Sequence, residues 1–117
     1  MNFTTNALSS DTVVIKIGDA LDFRTADDFK TEFQEYLEED VLHFILDFSD
    51  TTVLDSTGLG SVFSLYRQVS PQDGSVVFAD VSRPVQVVVQ LTRTYKVFPQ
   101  YASVDEAKDA LLEASDD

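Results

Sequence analysis

Short apolar runs alternate along this chain with stretches of helical period. "TVVIKI" (12–17) is rich in β-branched residues and predicts a strand. The residues before it, including Phe3, predict a short edge strand, with "LSSD" (8–11) as the turn. In "RTADDFKTEFQEYLEED" (24–40), Ala26, Phe29, Phe33 and Tyr36 or Leu37 fall on one helical face. Thr25 is placed to cap that helix, and Asp28 to mimic a capping box. Asp27 and Asp28 suit the positive end of its dipole. "VLHFILDFS" (41–49) is almost continuously apolar, as in a strand covered on both faces.

A polar knot follows, "DSTGLG" (55–60). Beyond it, Leu59, Val62, Phe63, Tyr66 and Val69 fall at helical spacing. "SPQDG" (70–74) predicts a turn and "SVVFADV" (75–81) another buried strand. "PVQVVVQL" (84–91) is ambiguous. Its alternating valines favour a strand, whereas Ser82 and Pro84 resemble a helix start. "YKVFPQY" (95–101) predicts a short strand ended by Pro99. "SVDEAKDALLEA" (103–114) predicts a helix opened by a Ser103–Glu106 capping box.

Alternation of this kind implies an α/β fold: a mixed, mostly parallel sheet of about four or five strands flanked by about four helices. No linker, repeat or low-complexity tract interrupts it, so a single domain is expected over 1–117. In such sheets functional groups gather where a strand hands over to a helix, the place that "DSTGLG" occupies.

The chain carries 21 acidic and 8 basic residues, a net charge of −13. That balance opposes binding to nucleic acid and to anionic membranes. "EYLEED" (35–40), Asp116 and Asp117 are expected to be solvated. No apolar run approaches the roughly 20 residues of a membrane span. The start has no signal-peptide pattern, and there are no cysteines. Together these set the expectation of a cytoplasmic protein.

The chemistry of the hexapeptide is limited. No lysine follows its glycines, so it is not a P-loop. Gly58 and Gly60 start a G-x-G-x-x-G, but Phe63 occupies the third position. A nucleophile elbow needs G-x-S-x-G, and the lone His43 lies at the far end of the preceding strand, where a structural role is expected. A phosphorelay receiver fails as well, because Asp47 sits within its strand and Lys96 precedes valine, leaving no magnesium site. The remaining readings are a helix cap with a turn, and a hydroxyl displayed for modification by another protein. A helix N-terminus tolerates phosphate, and a phosphate on Ser56 would add about −1.5 to −2 charges.

The chain resembles the STAS domain, specifically the small bacterial anti-sigma factor antagonists. The resemblance rests on Asp55, Ser56, Thr57, Gly58, Leu59 and Gly60, and on an earlier signature of Gly18, Leu21, Asp22, Thr25 and Ala26. The late "LTRTYKVFPQYASVDEAKDAL" (91–111) extends it over nearly the whole chain. It implies a helix for roughly 82–92, and a non-enzymatic partner-switch protein without a cofactor or metal. In that family an anti-sigma factor that is itself a serine kinase, supplying the ATP, phosphorylates the serine at the position of Ser56. Phosphorylation breaks the complex with that kinase, and a serine phosphatase restores it. Asp22, Asp55, Ser56, Thr57, Gly58, Leu59 and Gly60 are then the expected partner-binding residues. Thr57 is a possible contact, cap or lesser acceptor. A monomer or weak dimer is expected. A second use of the family, as a subunit of a stressosome-like assembly or a membrane transporter without a working phospho-switch, stays open.

Overall fold

The computed structural model describes residues 3–115, with side chains to residue 112; Asp116 and Asp117 lie outside the described residues. The main sheet has five strands: β1 (Thr4–Ala7), β2 (Thr12–Lys16), β4 (His43–Asp47), β6 (Ser75–Ala79) and β7 (Gln100–Tyr101). Their spatial order is β1-β2-β4-β6-β7, with β1 antiparallel to β2 and every other pair parallel. The helices are α1 (Ala26–Glu38), α2 (Ser56–Val69), α3 (Arg83–Thr92) and α4 (Val104–Ser115). This is the expected α/β architecture.

The strands alternate between two apolar layers. Val13 and Ile15, Phe44 and Leu46, and Val76 and Phe78 face the larger core, with Phe29 and Phe33 of α1 and Val62 and Leu65 of α2. Val14, Ile45, Val77 and Ala79 face Ala107 of α4 on the other side. Both faces are covered, so these strands read as unbroken apolar runs. His43 is opposite Ser75 in the register, with Nδ1 2.7 Å from its hydroxyl, a cross-strand structural contact.

A second sheet escapes periodicity because each strand has two residues. β3 (Ala20–Leu21) pairs in parallel with β5 (Val53–Leu54). The strand that hands over to α2 is therefore β5, not β4. Further corrections concern the ends of elements. The Thr25 hydroxyl does not cap α1; it donates to the Ala20 carbonyl and accepts the Asp22 N–H, closing the loop before the helix. The strand expected over 95–101 begins only after Pro99. Thr94–Lys96 forms a 3-10 turn instead, whose Thr94 carbonyl accepts the N–H groups of Val97 and Phe98. Pro99 has no N–H to give, but its carbonyl accepts from Phe78.

The ambiguous valine segment is helix. The Ser82 hydroxyl accepts the Val85 N–H and donates to the Thr51 carbonyl. Only Val85 and Val89, four residues apart, are fully buried, while Val87 is solvent-facing. The alternation that favoured a strand is thus incidental to packing. The capping box of α4 is present in a shifted form: Glu106 donates its N–H to Ser103, and its carboxylate accepts from the Ala102 N–H.

Candidate functional site

The small β3–β5 pair fixes the corner from which α2 starts. Gly18 turns the chain out of β2 with φ 88°. Two residues on, β3 lies alongside β5, and the Asp55 N–H donates to the Leu21 carbonyl at 3.3 Å. Asp55 is the N-cap of α2, with extended backbone and its Oδ1 2.8 Å from the Gly58 N–H. Its Oδ2 accepts the Phe23 N–H at 3.0 Å. One carboxylate thus caps the helix and ties it to the loop between β3 and α1. The two sequence signatures, more than thirty positions apart, meet through Asp55.

Asp55→Ala removes both bonds. It should lower the unfolding free energy by about 1–2 kcal/mol and fray the first turn of α2. A denaturant titration checks this: the midpoint should fall with an unchanged slope.

Ser56 is the first residue of α2 and is exposed, as is Thr57. The Ser56 hydroxyl has no hydrogen-bond partner among the described residues. Gly58 and Leu59 are buried, whereas Gly60 is exposed. A groove of about 280 Å³ runs beside Ser56. Leu54, Leu59, Gly60 and Phe63 line one wall, and Val88 and Thr92 of α3 line the other. Phe63 is anchored from below against Phe98, which stacks on Phe78 at 4.8 Å. The groove wall is therefore continuous with the core.

Asp22 precedes Phe23, whose N–H donates to Asp55. The Asp22 carboxylate is buried, with a relative side-chain exposure of 4%. The Arg24 guanidinium donates twice to Oδ2, at 3.2 and 2.8 Å, and the Arg24 N–H donates to Oδ1 at 2.9 Å. The guanidinium bond holds the Asp22 carboxyl below the usual carboxylate range, against the upward push of burial. Asp22 therefore faces solvent only through its arginine partner. Phe23, between them, is 73% exposed and its ring lies 5.9 Å from the Arg24 guanidinium carbon.

The corner collects all seven residues expected from the sequence, but in different capacities. Ser56, Thr57 and Gly60 are surface; Asp55 is half-buried; Asp22, Gly58 and Leu59 are interior. Sequence reasoning missed Phe23, Arg24, Phe63, Val88 and Thr92 as parts of this surface. "DFR" (22–24), an aromatic residue between opposite charges in a loop, was the available signal for the first two.

No helix among the described residues is long and apolar enough to cross a membrane. A family model for the STAS domain matches residues 5–107. The anti-sigma F factor antagonist of Paenibacillus polymyxa is 24% identical over 102 residues, covering 86% of this chain and 85% of that one. The unphosphorylated anti-sigma factor antagonist SpoIIAA shares the fold with a TM-score of 0.84 and 22% identity, over 95% of this chain and 96% of that one. The phosphorylated form of the Bacillus cell fate determinant SpoIIAA gives 0.74 and 22%, over 93% and 98%. The family match spans most of the chain and the shared fold accords with it: this chain belongs to the STAS domain family.

Proposed function

We propose that this chain, acting as one domain over 1–117, is an anti-sigma factor antagonist that works by partner switching. Unphosphorylated, it binds an anti-sigma factor that is also a serine kinase; phosphorylated on Ser56, it is released; a serine phosphatase resets it. The observation that carries this reading is the exposed, unengaged Ser56 hydroxyl at the mouth of α2, beside an apolar groove. Exposed Phe23 belongs to the aromatic class enriched at protein interfaces, and the apolar groove walls offer area to bury beside it.

The transfer needs no catalytic group from this chain. The Ser56 oxygen attacks the γ-phosphorus of ATP held by the kinase. The new O–P bond forms as the bond to ADP breaks, and the hydroxyl proton passes to a base on the kinase. The phosphate then sits at the positive end of α2, where the fold tolerates it. For a docked partner, the same group is a dianion inserted into the interface. Resetting is hydrolysis of that phosphate, with water as the nucleophile.

Incubation of the purified chain with the candidate kinase and ATP, followed by mass mapping, tests the assignment. The expected result is a single phosphate on Ser56, absent from Ser56→Ala. Phosphate on Thr57 or elsewhere, or none while the kinase phosphorylates another substrate, would contradict it and favour a STAS subunit without a working switch.

A further inference from the structure

Arg24 occupies an unusual position among the eight cations of this acidic chain. Its loop is hydrogen-bonded, through the Phe23 N–H, to Asp55, the residue before Ser56. Its guanidinium donates twice to Asp22, and its side chain is 66% exposed. The bond and charge of Asp22, and to a lesser degree the charge of Asp55, raise the Arg24 pKa. Lys16, by comparison, is paired with Asp50 at 3.0 Å.

We propose that Arg24 is the internal counter-ion of phosphorylated Ser56, leaving Asp22 for the phosphate when the serine is modified. This rests on the reading of Ser56 as the modified residue and adds how the chain itself responds. A guanidinium pairs with phosphate through the same two-pronged geometry it uses for carboxylate, and a phosphate near −2 outcompetes a single carboxylate. Asp22 keeps the Arg24 backbone N–H after the exchange but loses its charge partner. Phe23 loses the cation over its ring. The exchange therefore rearranges Asp22, Phe23 and Arg24 together, a few residues from the groove. Phosphorylation changes the docking surface in two places, the modified serine and the loop beside it.

The test uses the full chain with phosphoserine placed at position 56 during translation, so that no kinase is needed. Failure of partner binding and failure of this exchange are then separate results. Phosphorus NMR follows the second ionisation of the phosphate, near pH 6 in the free residue. Arg24→Gln should raise that pKa by at least about half a unit over the native chain. Lys108→Gln, which removes an equal charge from α4 on the opposite sheet face, should leave it in place. Arg24→Lys, a point charge without the paired fork, should recover part of the effect. Carbon NMR of the Asp22 carboxyl gives the second readout. Phosphorylation should raise its pKa more in the native chain than in Arg24→Gln, because only the native chain loses a guanidinium. Equal phosphate shifts in Arg24→Gln and Lys108→Gln, or equal Asp22 shifts with and without Arg24, would overturn the proposal.

Discussion

Gly58→Ala should destabilise this protein by about 2–3 kcal/mol, whereas Gly60→Ala, two positions along the same helix, should not destabilise it. A methyl group on Gly58 would lie 2.0 Å from the Leu21 carbonyl oxygen and 2.6 Å from the carbonyl carbon. Those are backbone atoms of β3, held by pairing with β5 and by the Asp55 N–H, so no side-chain rotation relieves the overlap. The start of α2 must move away from the 21–23 loop, stretching both bonds of Asp55. A methyl on Gly60 meets nothing within 4 Å. Alanine is the better helix former there, by roughly 0.5–1 kcal/mol. Paired thermal melts check the contrast: a fall of roughly 10 °C for Gly58→Ala, and no fall for Gly60→Ala. Since packing does not require Gly60, its bare surface in the groove is available for close approach by a partner. Gly60→Ala should therefore weaken kinase binding while keeping the fold. Equal melting of the two variants would refute the packing assignment.

The affinity of the kinase should divide sharply between two substitutions at Ser56. Ser56→Ala removes an exposed hydroxyl that has no partner among the described residues, so the fold and the docking surface are retained. It should bind about as tightly as the native chain and stay bound in the presence of ATP. Ser56→Asp places a carboxylate beside Asp55 at the rim of an apolar groove. A desolvated, unpaired charge at an interface costs several kcal/mol, on the order of a hundredfold in Kd. The aspartate should not harm the domain, because anions are favoured in the first turn of a helix. Titration calorimetry against the kinase, with melting curves of both variants, separates lost binding from lost folding. Identical affinities for native chain, Ser56→Ala and Ser56→Asp would contradict the partner-switch reading.

The parts of the fold legible in the sequence were those with a strong period. Phe29 and Phe33 marked the buried face of α1, and the apolar runs around Phe44–Leu46 and Val76–Phe78 marked strands covered on both faces. Periodicity could not show β3 and β5, because two residues contain no repeat. Their pairing depends on contacts across 33 positions of chain. Yet that pair is what brings Asp55 to Phe23. The valines of α3 read both ways: β-branched alternation favoured a strand, while Ser82, Pro84 and the family resemblance pointed to the helix that burial of Val85 and Val89 and the Ser82 cap enforce. For the corner itself, "DSTGLG" pointed to the place but not to how its residues are arranged there. The glycines looked equivalent in sequence, and only the approach of Leu21 to Gly58 separates them. Arg24 escaped notice for a related reason: the sequence does not show that the Asp22 carboxylate is enclosed by that guanidinium.

The most direct measurement compares one chain in two states: native protein, and protein carrying phosphoserine at position 56, each titrated with the kinase and each melted alone. The predicted result is a rise in Kd on the order of a hundredfold or more, with melting temperatures that agree closely. Unchanged affinity after phosphorylation would contradict the account, as would affinity lost only because the phosphorylated chain no longer folds.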